Sequence, residues 1–181
     1  IGGFIAVESA PARFATSDTL LLTGTASAFW RSNGGGLGGA LSLTAAGRTL
    51  SATYTGSYAQ SDNYSAGGDL GTVRSTEYAK TDHALALDWN SDAGLFRLKG
   101  GYHHSPRAGF PNQYMDMVSN RSWFLQGGYR GDFDWGRIDF SADYRDTDHE
   151  MNFLEDKGGS AGGGMPMNTE VHTASMALKI E

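Results

Sequence analysis

The chain lacks cysteine, has little proline and contains no long uninterrupted apolar run. Its 181 residues include no Cys and only 4 Pro. The absence of Cys excludes disulfides and Cys-ligated metal sites within the chain. No apolar stretch approaches the roughly 18 residues that a transmembrane helix requires, so such a helix is excluded. No Lys/Arg-rich segment occurs and the net charge is −6, which argues against a nucleic-acid partner.

What the chain has instead is a repeated alternation of apolar and polar residues. The alternation is clearest at 138–145, where even positions are apolar and odd positions are polar or charged. A period of two predicts a strand with two different faces. Two architectures fit this pattern: a barrel wall in which every second residue meets lipid, and a soluble β-sandwich.

The alternation predicts eight strands with unequal connections. The strands are expected at roughly 18–31, 37–45, 49–60, 74–90, 95–104, 121–132, 136–152 and 169–180. Tight Gly/Asp turns are expected at 46–48, 91–94 and 134–136, and longer connections at 62–73, 105–120 and 153–168. Outer-membrane barrels have short periplasmic turns and long external loops. The sequence therefore predicts an all-β fold, an antiparallel transmembrane β-barrel wall, with both ends of the chain on the periplasmic side.

In each predicted strand, every second residue belongs to a face that carries essentially no charge. This face is predicted to contact lipid. Its members are Leu20, Leu22, Gly24, Ala26, Ala28, Trp30, Leu41, Leu43, Ala52, Tyr54, Tyr58, Leu85, Leu87, Trp89, Phe96, Leu98, Tyr102, Leu125, Gly127, Tyr129, Ile138, Phe140, Ala142, Tyr144, Ala174, Met176, Leu178 and Ile180. The opposite face carries Arg97, Lys99, Arg130, Arg137, Asp139, Asp143 and Arg145. Lipid enforces such segregation, because an Arg or Lys at the bilayer midplane costs about 2–4 kcal/mol.

Three segments carry a resemblance to a known family: 109–117 (GFPNQYMDM), 149–157 (HEMNFLEDK) and 165–169 (MPMNT). Together they resemble the barrel domain of TonB-dependent outer-membrane receptors, and most of all the copper-receptor branch. Residues 1–8 resemble the last strand of the family's plug domain. The resemblance implies a plug–barrel junction at 1–13 and a partial barrel at 14–181. Eight strands are roughly the first third of the family's barrel of about 22 strands.

The chain begins at Ile1, with neither an initiator Met nor a signal peptide. We expect an internal piece of a longer protein, or a processed one. The resemblance implies that the rest of the plug, including the segment that engages TonB, lies outside this sequence.

Two soft donors stand two residues apart in the seventh predicted strand. His149 and Met151 therefore point to the same side, which parity assigns to the lumen. Imidazole and thioether groups suit copper, and thioethers select Cu(I). The resemblance implies that His149 and Met151 ligate a transported copper ion. A chance pairing in which Met151 fills a packing gap is the alternative.

Other chemistry-bearing residues are less specific. Met115, Met117, Met165 and Met167 are predicted in two long loops, as a soft-metal funnel or as packing onto the barrel mouth. One of His103 and His104 is expected to face inward. Asp139 and Asp143 stand about 13 Å apart along one strand, too far for a concerted acid–base pair. No nucleophile–base constellation is present, so an enzyme is not expected.

The sequence therefore predicts a TonB-dependent receptor in the outer membrane that transports copper ions. Its expected partners are membrane lipid, copper or a metal chelate, and TonB acting through the plug. One alternative is a ferric-siderophore receptor that uses Tyr64, Arg107 and Tyr114. Another is a passive barrel or an adhesin with no transport cycle.

Overall fold

One antiparallel sheet holds nearly all of the regular structure. The computed structural model describes residues 10–153, 155–158 and 165–181. The strands are β1 (Leu21–Arg31), β2 (Gly36–Ala46), β3 (Leu50–Ser61), β4 (Tyr78–Ser91), β5 (Gly94–Ala108), β6 (Asp116–Phe133), β7 (Gly136–Asn152) and β8 (Met167–Ile180). Short 3₁₀ segments lie at Asn33–Gly35, Gly68–Leu70 and Glu155–Lys157. Each strand pairs with the next along the chain, which confirms the predicted antiparallel wall of eight meandering strands.

Tight turns join the strands at one end of the sheet. At the other end, β1 and β2 are joined by the short segment 32–35, and the three remaining connections are longer. The predicted connection at 105–120 is wrong in extent, because β5 continues to Ala108 and β6 begins at Asp116. The β4–β5 register shifts between Ala79 and Thr81, opposite Pro106. A bulge is a place where a strand tolerates a proline, whose missing N–H would otherwise break the ladder. Strand β5 therefore continues through Pro106, although proline usually marks the end of a strand.

The sheet curves, so that one face is concave. Side chains on that face from seven strands line a single cavity of about 680 Å³, including Thr25, Ser57, Asp82, His103 and Asn120. Among the described residues, β1 pairs only with β2 and β8 only with β7, so the sheet is an open wall. Within the same residues, no helix has the length and apolar character needed to cross a membrane.

The chain enters the sheet along the concave face. Residues 10–13 line a cavity of about 350 Å³ together with Asp88, Arg97 and Lys99. Residues 1–9, which complete the predicted plug–barrel junction, lie outside the described residues. The division of the chain at residue 13 therefore stays a prediction.

The sheet has scarcely any apolar interior. The buried apolar residues of the described ranges are Ala46, Ala79 and Met117. Large apolar side chains lie instead on the convex face, where Trp30 is 72% exposed and Met176 is 81% exposed. A soluble β-sandwich buries its apolar face against a second sheet, whereas the described strands form one sheet. The sandwich alternative does not fit this structure.

Candidate functional site

The convex face carries an apolar band that runs obliquely across the strands. Strand pairing places Ala26 of β1 in the same transverse row as Asp146 of β7 and His172 of β8. On β1 the band continues beyond this row to Trp30, whereas on β7 and β8 it already ends there. Barrel strands tilt by about 35–45° from the barrel axis. An apolar band that is perpendicular to this axis therefore runs obliquely across the strands.

Aromatic rings border the convex band on both sides. Near the tight turns, the Phe96 ring lies 5.3 Å from Trp89 and 4.8 Å from Tyr129, centroid to centroid. Toward the long loops, Trp123 lies 5.1 Å from Tyr144. Rings at both margins of an apolar slab are typical of barrel walls whose aromatic residues meet the lipid headgroups.

Charged residues of the concave face are paired across neighbouring strands. Arg97 Nε donates to Asp88 Oδ1 at 2.5 Å, and the Asp88 side chain is only 2% exposed. Arg130 pairs with Asp139, and Ser175 Oγ donates to Asp143 at 2.6 Å. Asp88, Asp139 and Asp143 therefore each have a hydrogen-bonding partner on a neighbouring strand.

Strand β7 carries the two predicted copper ligands. His149 pairs in register with Asn120 of β6 and Thr169 of β8. His149 and Met151 are both half-buried. They share the parity of Arg145 and Thr147, which line the concave cavity. Parity therefore assigns both residues to the concave face, at the end of β7 nearest the long loops, although His149 also borders a hollow of about 380 Å³ with Asp148 and Glu150.

Met151 belongs to a row of three methionines that lie in register across three strands. Met151 of β7 pairs with Met117 of β6 and with Met167 of β8. Directly opposite residues have Cβ atoms about 4.5–5.5 Å apart, which brings neighbouring thioethers within reach of one another. The prediction that Met117 and Met167 lie in loops is wrong, because β6 begins at Asp116 and β8 begins at Met167. Met115 does lie in the 109–115 loop, and Met165 is 85% exposed.

Oxygen donors do not complete a metal centre around these groups. Across the described ranges, no set of three or more His, Asp and Glu side chains is arranged to hold a metal ion. A metal at His149 would therefore depend on thioether sulfur, and this favours a soft ion over a hard one.

The other inward imidazole is His103, on β5. Its Nδ1 lies 2.7 Å from Asp82 Oδ1, and Asp82 Oδ2 accepts from Ser57 Oγ at 3.2 Å. The neighbouring His104 belongs to the convex side, with its ring 6.2 Å from that of Tyr102. One histidine of the pair thus faces inward, as parity predicts.

The sequence interpretation missed an aromatic ring on the concave face. Phe124 has the Lys99 Nζ atom 5.8 Å and the Arg145 Cζ atom 5.5 Å from its ring centroid. Cation–π attraction holds both charges against the ring. A signal was present, because Trp123 and Phe124 are consecutive and one ring of such a pair in a strand faces the polar side.

The three longest loops are joined by a polar network, which we call the loop clamp (Asn63, Ser75, Asp116, Asp156 and Lys157). Asp156 Oδ2 accepts from Asn63 Nδ2 at 2.8 Å and from the Ser75 amide at 2.9 Å. Asp116 is fully buried and accepts from Ser75 Oγ at 3.2 Å. Lys157 Nζ donates to the backbone carbonyls of residues 110 and 113 at 3.0 and 2.7 Å. These bonds link the 62–77, 109–115 and 153–166 loops.

Hydrogen bonding sets the acidity of one clamp residue. The Ser75 amide and then the Asn63 side chain hold the pKa of Asp156 below its usual value, because both donate to the charged carboxylate. Ser75 itself has a φ of 58° and is 1% exposed. A non-glycine residue with this backbone conformation is uncommon, and the clamp holds it in place.

Comparisons with known proteins bear on the fold alone. No family model matches the chain, and no curated protein matches it significantly. Among solved structures, the chain is similar to the copper transporter OprC, with a TM-score of 0.78 and 23% identity. The match covers 94% of this chain and 26% of that chain. The present sequence thus spans about a quarter of that transporter's length and shares its fold over this part.

Proposed function

We propose that this chain forms part of the wall of a TonB-dependent outer-membrane receptor that imports copper ions. The observation that carries the proposal is the position of His149 beside three in-register methionines on the concave face. The similarity in fold to a copper transporter supports it. The copper ion is cargo in this account.

The placement of the donors suits capture of copper from outside. The methionine row lies at the long-loop end of the wall, and the His149 row lies one step farther from that end. Thioethers bind Cu(I) in preference to the harder divalent ions. An ion that enters from the loop side meets Met117, Met151 and Met167 first, and then the imidazole.

The dimensions of the convex band support a membrane location. From Leu20 to Trp30 the band covers ten residue steps, which is about 33 Å of strand. With a tilt of roughly 45° this length spans about 23 Å, close to the 25 Å apolar belt of outer-membrane barrels. Lipid also explains why leucine and tryptophan side chains are exposed on this face.

The TonB requirement rests on the family resemblance and on the position of residues 10–13. Residues 10–13 lie against the concave face beside Asp88 and Arg97. This position suits a connection to a plug domain inside the barrel. We infer that TonB acts through that plug to release copper inward.

Copper binding by the full-length protein tests the ligand assignment. Purified wild-type protein is loaded with Cu(I) under reducing conditions, and bound copper is counted by mass spectrometry. We expect near one tightly bound copper ion in wild type, and its loss in His149→Ala and Met151→Ala. Met176→Ala is the matched control, because Met176 lies in β8 but on the convex face and is 81% exposed. Equal copper in all four proteins would contradict the assignment.

A ferric-siderophore receptor is the second candidate. The concave face presents Phe124 between two cations, Lys99 and Arg145, a surface that suits an anionic aromatic chelate. Of the residues predicted for this role, Tyr114 is 76% exposed and Arg107 lies 3.7 Å from Asp62. Copper binding that survives both ligand substitutions, together with iron-chelate binding that is lost in Lys99→Ala, would favour this candidate.

A further inference from the structure

We propose that His103 is a second copper-binding station, one row deeper along the concave face than His149. The inference rests on the proposed transport function and extends it from a single capture site to a route. Strand pairing places His103 directly opposite Ser122, which pairs in turn with Thr147, whereas His149 lies directly opposite Asn120 in the adjacent row toward the loops.

Asp82 prepares the His103 ring as a metal ligand. A carboxylate only accepts hydrogen bonds, so the 2.7 Å contact with Asp82 keeps the proton on Nδ1 and leaves the lone pair on Nε2. Ser57 in turn holds the carboxylate from β3. A carboxylate that orients an imidazole in this way is the usual support behind a metal-binding histidine.

His103 lies where two cavities of the concave face meet. The cavity on the loop side measures about 690 Å³ and is also lined by Met117 and Lys80. The cavity toward the tight turns measures about 680 Å³ and is also lined by Asn120 and Arg145. An ion that leaves the methionine row therefore reaches His103 before it passes into the deeper cavity.

Asn120 provides a donor between the two imidazoles. Its Oδ1 atom is buried and accepts no hydrogen bond from the described residues. Asn120 lies directly opposite His149, at about 5 Å between Cβ atoms, and diagonally from His103, at about 7–8 Å. An unpartnered buried amide oxygen is costly unless it is satisfied by another group. A passing cation supplies that partner.

We expect His103 to bind copper weakly, so that the ion can be released and move further along the concave face. One imidazole and one amide oxygen make a sparse donor set, and Lys80 and Arg145 place positive charge on either side of it. A conducting route needs several sites that each bind well enough to admit the ion and weakly enough to release it.

A Cu(II) titration of the full-length protein tests this inference. Cu(II) is the probe because imidazole nitrogen gives it a recognisable electron paramagnetic resonance signal, whereas thioethers prefer Cu(I). Wild type, His103→Gln, Asp82→Asn and His149→Ala are titrated in detergent. His104→Ala is the control, since His104 is the adjacent residue on the convex face. Gln keeps a donor for Asp82, so the variant removes the imidazole and preserves the local bond.

We expect two imidazole-bound copper signals in wild type and in His104→Ala. His103→Gln should lose the weaker signal, and Asp82→Asn should raise its dissociation constant about tenfold. His149→Ala should lose only the stronger signal. If His103→Gln and Asp82→Asn both titrate like wild type, the second station is wrong, whatever His149→Ala does. If only His149→Ala has no effect, the second station stands and the proposed capture site fails.

Discussion

At the scale of single residues, Asp88 and Arg97 form a largely enclosed ion pair on the concave face. The Asp88 side chain is 2% exposed and that of Arg97 is 25% exposed. We expect Asp88→Ala to lower the free energy of unfolding by about 3 kcal/mol, because it leaves a partly buried guanidinium without its partner. Chemical unfolding of the protein in detergent measures the change.

The matched control for Asp88 is Asp18, which pairs with Arg48 at 2.9 Å while 91% exposed. Exposed pairs contribute about 0–1 kcal/mol, so Asp18→Ala should change little. Equal losses in the two variants would show that burial does not govern the strength of these pairs.

Val118 decides the direction in which Met117 points. The register between β6 and β7 shifts between Met117 and Ser119, which leaves Val118 unpaired. Without this bulge, counting back from the turn at 134–135 would give Met117 the opposite parity. The sequence predicted the inward parity of His149 and Met151 because they lie in regular strand. The methionine row could not be predicted, because a one-residue bulge leaves no clear trace in an alternation pattern.

At the scale of elements, the strands follow from the alternation and the tight turns follow from their Gly and Asp residues. The loop ends were predicted less well. Pro106 reads as a strand breaker, yet β5 accommodates it at a bulge and continues to Ala108. The loop clamp depends on contacts between residues 81 and 93 positions apart, such as Ser75–Asp156 and Asn63–Asp156. No local pattern in the sequence specifies such contacts.

Acidity should loosen the loop clamp only at low pH. The pKa of Asp156 is lower in the folded protein than in the unfolded chain, because the Ser75 amide and Asn63 donate to its carboxylate, with Arg74 and Lys157 nearby. Its contribution to stability is therefore complete above the ordinary pKa of about 3.9, and is lost as pH falls through the depressed value. Hydrogen exchange of the Ser75 amide, corrected for intrinsic rates, measures this.

Protection of the Ser75 amide should stay constant from pH 7 to pH 5 and should decline below about pH 4. In Asp156→Asn it should be weaker throughout and should change less over the same range. Protection that already falls between pH 7 and pH 5 would assign the acid response to another group.

At the scale of the whole molecule, the proposed membrane location predicts that the convex band does not tolerate a charged side chain. Leu98 lies in mid-band on β5 and is 50% exposed. Leu98→Arg should reduce the folded, membrane-assembled fraction, with a cost of about 2–4 kcal/mol at the bilayer midplane. The control is Gln126→Arg, whose position pairs with Lys99 and Asp143 on the concave face. The folded fraction is read from heat-modified mobility on gels, and equal tolerance of both substitutions would contradict a lipid-facing band.

The whole-molecule architecture was the part that the sequence predicted best. A lipid environment favours a separation of apolar and polar faces, and an alternation of this kind is clear along strand segments such as 138–145. The copper proposal also needed the pairing of the strands, because two donor residues in one strand do not show which residues of the neighbouring strands lie beside them. The row Met117, Met151 and Met167 emerges only when β6, β7 and β8 are paired.

Copper uptake by cells that express the full-length protein tests whether transported copper passes through His149 and Met151. Accumulation of radioactive copper is compared among wild type, His149→Ala, Met151→Ala and the convex-face control Met176→Ala, at matched amounts in the membrane. We expect wild type and the control to take up copper, and this uptake should stop when the proton-motive force is collapsed. Both ligand variants should show only background uptake. Equal uptake by all four proteins would contradict copper transport through His149 and Met151.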